Sequence, residues 1–227
     1  AAANIIASGA EPLAITDCLN YGDPNDPEIF WELHQSVQGM ADACREFNTP
    51  VISGNVSLYN ENNGQAIHPT PMVGMVGLIK NIDRVIPSFV QHPGDKVYLV
   101  GQTRDDYAGS ELQKMMTGDI SGIVKSFDLH HVHQYMQRLL TTMENGLVSS
   151  AHDLSEGGLG VALAETVFKT DLGLKIDLAD QPATRLFSET PGRFIVTVAP
   201  EKATEFEQVL GKDAHLIGEV TNSHWLM

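Results

Sequence analysis

The chain has 227 residues, 42% of them hydrophobic and 19% charged, with 14 Lys and Arg against 29 Asp and Glu and a formal charge of −15. That length buries a real core and suits two domains, and the acidic surface repels nucleic acid and anionic membranes. It leaves nucleotides open as ligands, because a divalent cation and backbone N–H groups can meet their phosphates. No run of about 18 apolar residues exists, so no membrane-spanning helix is expected. Two cysteines, Cys18 and Cys44, make neither a disulfide framework nor a metal spacing, which points to a reducing cytoplasm. The opening Ala1 to Gly9 lacks an initiator Met and a basic leader, and it reads as a helix entered partway, so a piece of a longer chain is expected.

Residues 1–8 read as the end of a helix closed by Gly9, and Leu13 to Leu19 as a strand running into Asn20-Tyr21-Gly22. After the turn cluster Asp23 to Pro27, an apolar stripe at Ile29, Leu33, Val37, Met40, Cys44 and Phe47 has the 3.6-residue period of a helix on a sheet. Asn48-Thr49-Pro50 stops it. Val51 to Ser53 reads as a buried strand breaking into the loop Gly54-Asn55-Val56-Ser57, and Met72 to Ile79 follows as another strand beyond a polar loop. Two prolines and a weak pattern over 84–94 mark a domain boundary. Beyond it come a strand from Lys96, helices over 108–116 and 128–145, a strand over 147–150 and a helix over 155–168. Strands over 174–178, 193–198 and 215–220 and a helix over 203–210 complete the pattern. Strands alternate with helices in both parts, so the fold class is α/β and α+β.

Four segments carry candidate chemistry. Asp17 ends a strand, where α/β folds open into clefts, and it suits a metal or nucleotide, or else a cap on loop N–H groups. In Ser53-Gly54-Asn55-Val56-Ser57, Gly54 permits close backbone approach, Asn55 offers a neutral oxygen to a hard cation, and Ser57 offers a hydroxyl to a phosphate or metal-bound water. A plain turn explains the same residues. Ser150 to Gly158 leads into a helix and could hold an anion, but Asp153 with Glu156 reads more readily as a capping box. Phe187 to Arg193 is a polar turn that could meet a ligand or simply enter a strand. His130, His131 and His133 lack the i, i+4 pairing of helical zinc sites and read as surface residues, and Tyr107-Ala108-Gly109-Ser110-Glu111 could be a phosphate-contacting helix start but reads more readily as a cap.

Gly9-Ala10-Glu11-Pro12 through Thr16-Asp17-Cys18-Leu19-Asn20, followed by Val51 to Asn60, resembles the phosphoribosylformylglycinamidine synthase family. Ser150 to Gly158, Leu163-Ala164-Glu165, Leu186 to Glu189 and Leu216 to Val220 continue the likeness in order. The Gly-Ala-Glu-Pro start alone points only to the wider aminoimidazole ribonucleotide synthase-like superfamily. That group also holds selenophosphate synthetase, thiamine-monophosphate kinase and a hydrogenase-maturation protein. The resemblance implies the second half of a two-half synthetase subunit. Residues 1–85 would be part of a dimerising, ATP-binding N-terminal domain, and 86–227 an α+β C-terminal domain. It implies ATP and Mg²⁺ as cofactors, with Asp17 and Gly54 contacting ATP, Asn55 ligating Mg²⁺ and Ser57 contacting formylglycinamide ribonucleotide. The catalytic histidine is expected in the other half, leaving no catalytic residue here. The implied reaction is ATP-dependent: phosphorylation of the formyl amide oxygen gives an iminophosphate, and glutamine-derived ammonia displaces the phosphate to give the amidine. A glutaminase subunit, a small accessory subunit and the first half of the same polypeptide are the implied partners. The alternatives are a non-catalytic nucleotide-binding half, or another ATP-using member of the superfamily. A hydrolase built on His152 and Asp153 is the third.

Overall fold

The computed structural model describes residues 1–126, 128–178 and 182–223. The last four positions of the expected second domain therefore lie outside the described residues. Contacts divide the chain into two compact units, Ala1–Ile5 with Glu11–Leu78, and Ile6–Ala10 with the chain from Ile79 onward.

After helix α1 (Ala2–Ala7), the first unit is a three-stranded sheet of β1 (Glu11–Asn20), β2 (Val51–Ser57) and β5 (Thr70–Leu78), with β1 in the centre. β1 runs parallel to β2 and antiparallel to β5. A parallel pair needs a long crossover, and helix α2 (Pro27–Phe47) supplies it. Asp26 caps α2 by accepting from the Glu28 N–H, Pro27 sits in the first turn, and Asn48 closes the helix at φ 53°. The stripe expected from periodicity is only half-buried, and no α2 residue is fully buried. Between β2 and β5 the polar segment forms a small hairpin, β3 (Glu61–Asn62) and β4 (Gln65–Ala66), turning on Asn63 and Gly64 at φ 54° and 75°. That dipeptide is the standard two-residue hairpin signal.

The second unit is an antiparallel five-stranded sheet of β6 (Lys96–Val100), β7 (Val148–Asp153), β8 (Gly173–Ile176), β9 (Phe194–Val198) and β10 (Ala214–Thr221) in the order β7-β9-β6-β10-β8. Helix α5 (Gly158–Val167) lays Leu159, Ala162 and Leu163 against Val97, Leu99, Ile195 and Ile217 of one face. The alternate residues face the other way, where Tyr98 packs on Phe206 of α6 (Ala203–Leu210), ring centroids 5.0 Å apart. Helix α4 (Leu129–Glu144) packs beside α6 and buries Tyr135, Met136, Leu139 and Met143. With both faces covered, four of the five β6 positions and all five of β9 are buried. A short helix, α3 (Glu111–Thr117), is capped by Ser110, whose hydroxyl accepts from the Gln113 N–H.

Candidate functional site

The β1–β2 ladder sets Thr16 opposite Ser53, Asp17 opposite Gly54, Cys18 opposite Asn55 and Asn20 opposite Ser57. Side chains alternate along a strand, so Thr16, Cys18, Asn20, Ser53, Asn55 and Ser57 share one face while Asp17 and Gly54 share the other. Contacts across the strands agree. The Thr16 and Ser53 hydroxyls lie 2.9 Å apart, and Asn20 Nδ2 and Asn55 Nδ2 both donate to Cys18 Sγ, at 3.6 and 3.8 Å. The four expected residues thus fall within one short stretch of ladder but on two faces. The expected loop at Gly54 to Ser57 is corrected: these residues continue β2 to Ser57, because pairing with β1 satisfies their backbone.

Gly54 has a specific steric reason to lack a side chain. A Cβ there would sit 1.9 Å from Asp17 Oδ1 and 3.0 Å from the Asp17 carbonyl oxygen. The Asp17 carboxylate therefore lies across the bare backbone of Gly54. Asn55 directs its Nδ2 to sulfur, which leaves Oδ1 as the end of the amide free of that bond. Among the described residues no group of three or more His, Cys, Asp or Glu could hold a metal. The oxygen donors on this face, beside the Cys18 thiol, are all neutral, and they fit Mg²⁺ only where phosphates and other ligands bring the negative charge. Ser57 is locked to Asn60: its hydroxyl donates to Asn60 Oδ1 at 3.3 Å and accepts from Asn60 Nδ2 at 3.1 Å. Sequence reasoning gave Cys18, Asn20 and Asn60 no part in the site. The period-2 alternation from Thr16 to Asn20 would have shown that Cys18 and Asn20 share a face.

In the second unit the polar turn at 187–193 is a structural junction. Arg193 is fully buried; its Nε donates to the Thr190 carbonyl at 2.9 Å, Nη1 to Thr103 Oγ1 at 2.9 Å, and Nη2 to the Ser188 carbonyl. Burial pulls its guanidinium down to about 10, against the opposing pull of Asp106. Glu189 Oε1 accepts from the Glu111 and Gly157 N–H groups, each at 2.9 Å. The backbone seat at the start of α5 that could take an external anion thus holds a carboxylate of the chain itself. The expected capping box is corrected too. Asp153 lies in β7, and the α5 N-cap is Gly157 at φ 75° with no side-chain cap. His152 donates through Nδ1 to the Asp153 carbonyl at 2.6 Å, with Nε2 3.4 Å from Glu165 Oε2. His131 is not simply a surface residue. Its Nε2 lies 3.0 Å from Oδ1 of the buried Asp213, which Arg138 also pairs.

The described helices include none long and apolar enough to cross a membrane. Residues 1–79 match the description AIR synthase related protein, N-terminal domain, and residues 92–225 match AIR synthase related protein, C-terminal domain. The chain is 98% identical over 227 residues to the phosphoribosylformylglycinamidine synthase subunit PurL of Limosilactobacillus reuteri (strain DSM 20016), covering all of this chain and 31% of that protein. The chain therefore spans about a third of the length of the curated relatives it matches. Among solved structures, Thermotoga maritima PurL complexed with FGAR superposes with a TM-score of 0.71 at 24% identity, over 96% of this chain and 37% of that one. The same protein complexed with ATP gives 0.70 at 23% identity, over 97% and 35%. At these identities the superpositions speak to the fold, and the two domain matches together with it establish that the chain belongs to the AIR synthase related family.

Proposed function

We propose that this chain forms the C-terminal part of an ATP-dependent C–N ligase of purine biosynthesis, acting in the cytoplasm. The ligase converts formylglycinamide ribonucleotide and glutamine-derived ammonia to formylglycinamidine ribonucleotide. The observation that carries the reading is the β1–β2 ladder, which within a few residues sets a carboxylate over a glycine on one face and neutral oxygens on the other. Identity of 98% to PurL over the whole chain supports it. In this reading Asp17 and the Gly54 backbone contact ATP, Asn55 ligates Mg²⁺ and Ser57 contacts the substrate. Mg²⁺, when bound, supplies charge neutralisation on the phosphates. The chain's own part is to hold the nucleotide and substrate in a fixed relation, which is most of what phosphoryl transfer asks of a protein. ATP activates the formyl amide oxygen as an iminophosphate, and ammonia displaces phosphate.

The catalytic histidine comes from the remaining two-thirds of the polypeptide. A glutaminase and a small accessory subunit complete the assembly. A division near residue 85, with an ATP-binding domain over 1–85 and an α+β domain over 86–227, belongs to the same proposal. The gap between the matched spans 1–79 and 92–225 supports it. The rival of a non-catalytic nucleotide half, with its phosphates at the α5 start, is weighed down by the Glu189 carboxylate already bonded to Gly157.

The test is ammonia- and ATP-dependent amidine formation by this chain mixed with the preceding residues of L. reuteri PurL. Activity in the mixture that falls by about two orders of magnitude or more with Asn55→Ala is expected. Unchanged turnover in that variant would move the metal site elsewhere and recast this part as structural.

A further inference from the structure

Asn60 closes the turn after β2, and its amide is committed to the ends of both strands of the site. Its Nδ2 lies 2.9 Å from the Ser57 carbonyl oxygen, 3.1 Å from the Tyr21 carbonyl oxygen and 3.1 Å from Ser57 Oγ, so its two protons are shared among three acceptors, while its Oδ1 accepts from the Ser57 hydroxyl at 3.3 Å. Backbone bonds fix the turn itself: the Asn60 N–H donates to the Tyr21 carbonyl at 3.1 Å and the Tyr59 N–H to the Gly22 carbonyl at 2.9 Å. Both side chains of the Ser57–Asn60 pair are part-buried. A serine hydroxyl has one proton and two acceptor lone pairs. Here the proton goes to Asn60 Oδ1 and one lone pair takes a share of an Asn60 N–H, so a single lone pair is left fully open. A free hydroxyl would rotate to suit either a donor or an acceptor; this one cannot without breaking the pair.

We propose that Asn60 is a positioning residue that fixes the Ser57 hydroxyl as a hydrogen-bond acceptor, so that Ser57 meets a proton-donating group of the substrate, a hydroxyl or an N–H, and not a phosphate oxygen. The inference rests on the reading that Ser57 contacts formylglycinamide ribonucleotide, and deepens it by naming the class of group it reads. The consequence is selectivity. A part-buried acceptor with one open lone pair is left unpaired by a ligand that brings only oxygen acceptors to that point, and unpaired polar groups are what sites discriminate against most strongly.

The experiment uses full-length L. reuteri PurL carrying Ser57→Ala, Asn60→Ala or both, in the numbering used here. Calorimetry would give the dissociation constants for formylglycinamide ribonucleotide and, separately, for ATP. Each single change is expected to weaken the ribonucleotide about tenfold, the double variant no more than Ser57→Ala alone, and ATP to bind as before. If Ser57→Ala alone leaves ribonucleotide binding intact, the underlying reading of Ser57 fails. If Ser57→Ala weakens it but Asn60→Ala does not, the positioning role is overturned and the reading of Ser57 stands. Additive losses in the double variant, or equal losses of ATP and ribonucleotide, also overturn it, because they mark Asn60 as a turn residue only. Should Asn60→Ala fail to fold, Asn60→Asp keeps the oxygen that accepts the Ser57 proton. Ribonucleotide affinity within about threefold of wild type then supports the proposal, and a loss as large as that of Ser57→Ala sinks it.

Discussion

Tyr98 shows how one buried side chain ties packing to pH. Its ring is packed against Phe206 and its hydroxyl donates to Glu207 Oε1 at 2.7 Å. Burial first, then the bond to Glu207 and the charge of Glu207, hold the phenol protonated well above its ordinary value near 10. Tyr135 is raised as well, by burial and by the charge of Asp213. A group whose native value lies above its unfolded value contributes stability that is complete below the unfolded value and is lost as pH climbs toward the native one. The folded chain keeps those two protons above pH 10 while the unfolded chain releases them, so stability should fall as pH rises past about 10. Arg193 works in the opposite sense. Its native value of about 10 lies below the ordinary guanidinium value, so the unfolded chain holds that proton more tightly and losing it favours the fold. Tyr98→Phe separates the contributions because it keeps the ring and removes the titrating hydroxyl. Urea midpoints at pH 8 and pH 10.5 should drop less in the variant than in the wild type. Equal drops would place the alkaline sensitivity in other groups.

Two neighbouring strands, more than any one side chain, make the site, and the Gly54–Asp17 pair tests that claim. Any Cβ on residue 54 collides with the Asp17 carboxylate and crowds its carbonyl, so Gly54→Ala must turn the Asp17 side chain aside or part the strands. In full-length PurL the change should raise the Michaelis constant for ATP by about tenfold or more. Far-ultraviolet circular dichroism and the melting midpoint would show whether the strands stay paired. Unaltered ATP kinetics would mean that Asp17 has no part in nucleotide binding. Much of this architecture was readable beforehand. Helix α2 follows from Asp26, Pro27 and a regular apolar stripe, and its stop from Asn48-Thr49-Pro50, all local signals. The extension of β2 through Gly54 to Ser57 was not readable, because its cause is pairing with residues some 37 positions earlier, as in Asp17 opposite Gly54. The same holds for Glu189, whose carboxylate bonds Glu111 and Gly157 across 78 and 32 residues. His131 is a third case, held by Asp213 across 82 residues. A polar residue before a strand gives no local sign that it will cap distant helices.

The two units bury their surfaces very differently. In the first, every β2 position but the last is exposed, α2 has no fully buried residue, and Ile52, Val56, Met72 and Val76 are each more than half exposed. In the second, β9 is buried at every position and the sheet has helices on both faces. Local opening is easiest where few apolar contacts are lost. Backbone amides of α2 and β2 should therefore exchange with deuterium at least about 100-fold faster than those of β6 and β9, a gap of about 2.7 kcal/mol in opening free energy. Exposed apolar side chains on both faces of the sheet, Ile52 and Val56 on one and Met72 and Val76 on the other, commonly mark surfaces meant to be covered, and the proposed function supplies the cover, in the rest of the PurL polypeptide. The same exchange measurement on full-length PurL should then slow α2 and β2 toward the rate of β9 while leaving β9 unchanged. If β2 exchanged equally fast in both contexts, its exposed face would serve something other than the rest of the polypeptide. If it were already slow in the isolated chain, the first unit would be held by its own backbone pairing, and the half-buried stripe of α2 would be enough to secure it.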